Sequence, residues 1–201
     1  MEIKLQSLAV GYEDILVNDI NIDFKIGQIN VILGRNGEGK TTLLKTIAGL
    51  LPVKKGIIVP KINNEQIGYV NNYKPTMPHI LVSEYLSYGN KNDQIKDQNI
   101  LATLNIPNLE RKFISELSDG QFKKVAIYRQ LLKNPKILFL DEPTSFLDIE
   151  NKKELQETLI KTKANSVIIV VTHDIDFAKK IGDQFYLIKN RAISQIDKDS
   201  I

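Results

Sequence analysis

The sequence predicts an α/β fold with parallel strands at its centre, and three observations carry the prediction. The apolar run 29–33 leads into Gly34-Arg35-Asn36-Gly37-Glu38-Gly39-Lys40-Thr41-Thr42, and a helical pattern follows over 42–48. Strand, glycine loop and helix in that order make a phosphate-binding loop. The runs Ile137-Leu138-Phe139-Leu140 and Val167-Ile168-Ile169-Val170-Val171 are wholly apolar, as strands buried on both faces are. The first of them delivers Asp141-Glu142 at its carboxyl end, the edge where open α/β sheets bind ligands.

Taken in order, residues 2–33 read as short strands over 3–10, 20–26 and 29–33, with a turn at Lys25-Ile26-Gly27-Gln28. Gly49-Leu50-Leu51-Pro52 stops the first helix, with proline beyond its last turn. Strands follow at 56–59 and 66–70. From about 71 to 118 the character changes: Pro75, Pro78 and Pro107 interrupt it, and helical patterns run over 82–88 and 95–104. That stretch reads as a mostly helical insertion. Leu117-Ser118-Asp119-Gly120-Gln121 then opens a helix, with Phe122, Val125, Ala126, Arg129 and Leu132 at 3–4 spacing and Asn134-Pro135 at its end. A helix over 149–164, a strand over 166–172, a helix over 175–181 and a hairpin of 185–188 with 192–196 complete the chain.

A length of 201 residues suits one domain with its own core. Lysine and arginine number 27 against 24 acidic residues, a balance too even for a nucleic-acid stripe. The lysine pairs at 54–55, 123–124, 152–153 and 179–180 are scattered and read as solvated faces, so no nucleic-acid partner is expected. There is no cysteine, which excludes disulfides, thiol catalysis and cysteine metal sites. The first residues lack the apolar core of a signal peptide, and the longest apolar runs are far too short to span a bilayer. A cytoplasmic protein is expected, reaching any membrane through a partner.

The glycine loop carries the first functional expectation. Its backbone can curl so that successive N–H groups point into one concavity, and the helix behind it adds positive potential. Lys40 would reach the β- and γ-phosphates of a nucleoside triphosphate, and Thr41 would offer its hydroxyl to Mg²⁺. Tyr12, just after Gly11, would either stack on a purine base or simply pack.

Five signals in one order resemble the nucleotide-binding subunits of ATP-binding cassette (ABC) transporters, over nearly the whole chain. They are the glycine loop, the signature motif Leu117-Ser118-Asp119-Gly120-Gln121, the acidic strand 137–142 with Pro143-Thr144, the D-loop Ser145-Phe146-Leu147-Asp148, and the switch histidine in Val171-Thr172-His173-Asp174. The resemblance implies a P-loop NTPase core of about 1–71 and 119–201 with an N-terminal antiparallel β part, and a small α-helical insertion subdomain of about 72–118. It implies an ATPase that uses ATP and Mg²⁺. ATP would be bound by Tyr12, Gly34, Asn36, Gly37, Gly39, Lys40, Thr41 and Thr42, with Ser118, Gly120, Gln121 and Asp148 acting across a dimer of two such subunits. Thr41, Asn72 and Asp141 would hold the metal, Glu142 would be the general base, and His173 and Lys40 would act on the γ-phosphate.

Two positions depart from the family pattern. Asp119 stands where the signature usually has glycine; at a helix start its carboxylate is expected to turn back and cap N–H groups. Asn72 stands at the Q-loop glutamine, one methylene shorter. The partners implied are transmembrane permease subunits docking on the helical insertion, where Tyr73, Tyr85 and Tyr88 form either an apolar socket or a small core. The layouts of 106–118 and 172–183 are similar to importers of iron chelates, haem and cobalamin. The alternative is a soluble ATPase of the same type acting on a protein or cofactor assembly. A GTPase is disfavoured by the five signals in one order, and His79, in a proline-flanked loop, carries no role.

Overall fold

The computed structural model describes residues 2–61, 66–71, 73–74, 79–88, 109 and 111–201. Two sheets organise them. In the first, β1 (Glu2–Gly11) lies between β2 (Ile15–Lys25) and β4 (Lys55–Val59), antiparallel to both. β2 starts earlier than the apolar pattern indicates. Asn18-Asp19 reads as a break, but the strand passes through it as an irregularity, with Asp19 at φ 48° and the Asn21 amide donating to the Asp19 carbonyl and carboxylate.

The second sheet has the order β5-β6-β7-β3-β8-β9, formed by β3 (Ile29–Leu33), β5 (Ile67–Val70), β6 (Ile137–Asp141), β7 (Val167–Val171), β8 (Gln184–Lys189) and β9 (Ala192–Ile196). All are parallel except β9, which turns back on β8 through Asn190 and Arg191, both at positive φ as a tight hairpin requires. Every residue of β3, β6 and β7 is buried.

Those strands are buried because both faces are covered. Val31, Leu138, Leu140, Ile168 and Val170 face α3 (Asp119–Leu131), α4 (Ile149–Thr162) and α5 (Ile175–Ile181). Their neighbours Ile32, Phe139, Ile169 and Val171 face α1 (Lys40–Ile47) and the antiparallel sheet. Alternation along each strand thus feeds two cores. α4 is tied at two points: Glu154 accepts from Lys124 (2.7 Å) and Tyr128 (2.5 Å) of α3, and Lys152 pairs with Asp174 (2.6 Å) at the head of α5.

Within the insertion, the described residues form α2 (Val82–Ser87) and a short 3-10 turn at Ile114–Glu116. The predicted helix over 95–104 lies outside the described residues. α2 packs on α3 through Tyr85 and Phe122, their rings 5.8 Å apart. Register then sets the functional edge: Asp141 is paired with Val171, and Val171 with Ile32. The ends of β6, β7 and β3 therefore come out side by side, bringing Asp141-Glu142, Thr172-His173 and Gly34 to one place.

Candidate nucleotide site

The glycine loop joins β3 to α1. Gly39 is at φ 96°, and a Cβ there would sit 3.0 Å from the Val17 methyl, so both backbone and neighbour demand glycine. Lys40 is buried, its Nζ donating to the carbonyls of Gly34 (2.8 Å) and Arg35 (3.0 Å). The ammonium is thus curled into the loop formed by Gly34, Asn36 and Gly37. Thr42 is buried in the first turn of α1, while Asn36 is exposed. Glu38, which the sequence reading passed over, accepts the Arg35 N–H at 2.7 Å. Tyr12 is exposed in the bend after β1.

Thr41 donates its hydroxyl to Asp141 Oδ1 at 2.9 Å. Burial pushes the Asp141 carboxyl up from its ordinary value while the Thr41 hydroxyl opposes the shift. A hydroxyl beside a carboxylate, both hard oxygen donors, fits a divalent cation such as Mg²⁺. The third residue expected at the metal, Asn72, lies outside the described residues.

Glu142 has φ 47°, a left-handed backbone unusual for a residue with a side chain, and its N–H donates to Val171 O at 2.9 Å. Its two carboxylate oxygens have different partners. Oε1 lies 3.0 Å from His173 Nδ1 and 3.9 Å from Lys40 Nζ. Oε2 accepts the Thr172 hydroxyl at 3.1 Å and the His173 N–H at 3.3 Å. Of the three residues expected to be catalytic, Lys40 and His173 therefore both face one oxygen of Glu142. A cleft of about 600 Å³ opens beside them, between Gly34 and Arg35, His173 and the β8–β9 hairpin.

Lys123 corrects the reading of its lysine pair as a solvated face. It is only 4 % exposed, and its ammonium donates to the carbonyls of Asn71 and Asp141, each at 3.1 Å. Burial pushes it down to about 8, against the pull of the Asp141 and Glu142 carboxylates. Nothing local marks Lys123 as inward; only the packing of α3 against the end of β6 does. The place of Thr172 at the end of an all-apolar strand is legible in the sequence, but the bond of its hydroxyl to Glu142 is not.

Ser118 caps α3: its Oγ accepts the Gln121 N–H (3.2 Å), and Gln121 Oε1 accepts the Ser118 N–H (3.0 Å). This reciprocal box corrects the expectation that Asp119 turns back as the cap. Asp119 is exposed in the first turn, where the helix dipole favours its charge. Gly120 has no room for a side chain, since a Cβ would lie 2.5 Å from Phe146 O. Asp148 caps α4 by accepting the Asn151 N–H at 2.8 Å. Among the described residues, no hydrogen bond or ion pair joins 118–121 to the glycine loop.

Of the three tyrosines, Tyr85 belongs to the core, with the Arg129 guanidinium 4.3 Å from its ring centroid, while Tyr73 and Tyr88 are exposed. His79 meets Phe113 edge-on, away from the site. No helix among the described residues is long and apolar enough to cross a membrane.

With the geometry in place, known proteins can be set beside it. The ABC transporter family matches residues 17–145. An uncharacterized ABC transporter ATP-binding protein of Methanocaldococcus jannaschii is 36% identical, over 95% of this chain and 74% of its own length. The spermidine/putrescine import ATP-binding protein PotA of Spiroplasma citri is 29% identical, over 96% of this chain and 61% of its own. In fold, the chain is similar to the ATP binding subunit of an ABC transporter (TM-score 0.88, 23% identity, 100% of this chain and 91% of that one). It is also similar to an inward-facing structure described as a metal-chelate type ABC transporter (TM-score 0.83, 23% identity, 99% and 84%). The chain belongs to the ABC transporter family, as an ATP-binding, ATP-hydrolysing subunit of the kind that generally works in pairs and with membrane permeases.

Proposed function

We propose that two copies of this chain close on two ATP molecules and reopen on hydrolysis, driving transport through separate membrane subunits. The observation that carries this reading is the convergence of Lys40, Glu142 and His173 at the ends of three adjacent strands. The loop amides and Lys40 hold the β- and γ-phosphates, with Tyr12 against the base. Thr41 and Asp141 would hold Mg²⁺, which when bound neutralises phosphate charge. Glu142 accepts a proton from the attacking water, and His173 contacts the γ-phosphate. Products are ADP and phosphate.

The signature turn supports the pairing. Ser118 presents a capped helix start with exposed neighbours and makes no bond to its own chain's glycine loop, so covering the nucleotide falls to a second copy. Gly120, Gln121 and Asp148 flank that turn or the loop beside it. The exposed Tyr73 and Tyr88 in the insertion mark the face on which a permease docks. Uptake of an iron chelate or similar metal complex is the cargo we favour. The layouts of 106–118 and 172–183 support it, as does the likeness to a metal-chelate type transporter.

Glu142→Gln is expected to keep ATP affinity, lose turnover by about 100-fold or more and accumulate a dimer with ATP, whereas Lys40→Ala loses nucleotide affinity. Equilibrium binding, steady-state hydrolysis and sedimentation read the three quantities. Undiminished hydrolysis by the Glu142 variant removes it from the base role, and recovery of the native chain without any integral membrane partner removes the transporter.

A further inference from the structure

We propose that Thr172 is the positioning residue for the general base: it holds one oxygen of Glu142 and so leaves the other to take the proton of the attacking water. The proposal rests on the assignment of Glu142 as base made above.

Thr172 is fully buried at the end of β7, and its N–H donates to Ile32 O of β3 at 3.2 Å. Its hydroxyl has a single proton, and the surroundings direct it. Thr172 Oγ1 accepts the Asp174 N–H at 3.0 Å, which leaves its own proton for Glu142 Oε2 at 3.1 Å. The Asp174 N–H is itself fixed, because Asp174 caps α5 through Phe177 N (3.0 Å) and is ion-paired to Lys152.

The two oxygens of Glu142 therefore differ in kind. Oε2 is bonded by Thr172 and by a main-chain N–H, donors built into the strand end. Oε1 faces two side chains that phosphate attracts, Lys40 and the largely exposed imidazole of His173. When a triphosphate draws those two cations or donors to its own oxygens, Oε1 is released and Oε2 is not. A base on a flexible side chain is then held by one end, its lone pairs aimed and little rotamer freedom left to lose in the transition state.

The test compares Thr172→Val, which keeps the shape without the donor, with Thr172→Ser, which keeps the donor. Thr172→Val is expected to lower kcat by about 10- to 100-fold, the scale of one hydrogen bond to a charged group, with the ATP dissociation constant changed by about twofold or less. Thr172→Ser is expected to restore kcat to within about threefold of the native chain. Should the valine variant fail to fold, Thr172→Cys, a weak donor of similar size, is expected to lose kcat by about 5-fold or more at unchanged ATP affinity. The proposal is overturned if valine or cysteine retains full turnover, if serine loses as much as valine, or if ATP affinity falls in step with kcat. Glu142→Gln run in parallel separates the two claims. Its activity sinks the base assignment, whereas an inactive Glu142→Gln beside a fully active Thr172→Val sinks only the role of Thr172.

Discussion

The two sheets are built by opposite rules. β3, β6 and β7 are buried at every residue, while β2 alternates buried and exposed and β4 is exposed at four of its five positions. Lys40, Asp141, Glu142, Thr172 and His173 stand at or beyond the carboxyl ends of the parallel strands and Lys123 reaches in from α3, while β1 of the antiparallel sheet leads to the exposed Tyr12. The difference teaches where a protein can afford precision. A strand covered on both faces is fixed in register, so it can deliver Asp141-Glu142 beside Thr172-His173, whereas β2, an edge strand with one wet face, passes through a register irregularity at Asp19.

The comparison can be broken by substitution. The largest effect is expected at Phe139, fully buried in the middle of β6: Phe139→Ala should cost about 3–5 kcal/mol in denaturant unfolding. A cost under about 1 kcal/mol would mean that the parallel sheet is not the rigid partner.

An intermediate effect is expected at the edge itself. Burial pushes the Asp174 carboxyl up, but the Lys152 ammonium and the Phe177 N–H outweigh it and hold the group below its ordinary 3.8. The folded state then binds this proton less readily than the unfolded one. The stability it contributes is complete above pH 3.8 and is lost as pH falls through the lower, folded value. Asp174→Ala should cost about 0.5–2 kcal/mol at pH 7 for the lost cap. Asp174→Asn should keep most of the cap and flatten the acid side of the stability profile, read by urea unfolding from pH 2 to 7. An unchanged acid limb would detach Asp174 from the fold.

The smallest effect is expected on β4, where Ile57 is 54% exposed. Ile57→Ala should change stability by no more than about 0.5 kcal/mol in the same unfolding assay. A cost near that of Phe139→Ala would erase the contrast between the sheets.

The same contrast governs what can be read before folding. The apolar runs, broken in β3 by Asn30 alone, announced β3, β6 and β7, and with them the places of Lys40, Asp141, Glu142 and His173. The motif Leu117-Ser118-Asp119-Gly120-Gln121 announced the start of α3, but Asp119 drew the cap to the wrong residue, and Ser118 makes it with Gln121. The first half of β2 was hidden because Asn18-Asp19 resembles a turn and pairs only through an irregular register. Lys123 and Thr172 were hidden for another reason. One is inward because a helix lies on a strand end, the other acts through the direction of a single proton, and neither fact is local in sequence.

Gly120 and the carbonyl of Phe146 approach so closely that no methyl group could pass between them. The serine turn and the stretch leading away from Asp141-Glu142 accordingly have no slack, and a shift in either is handed to the other. In the proposed pair, a subunit gripping its neighbour's nucleotide would thereby adjust the exit of its own acidic strand, and each half would sense what the other holds.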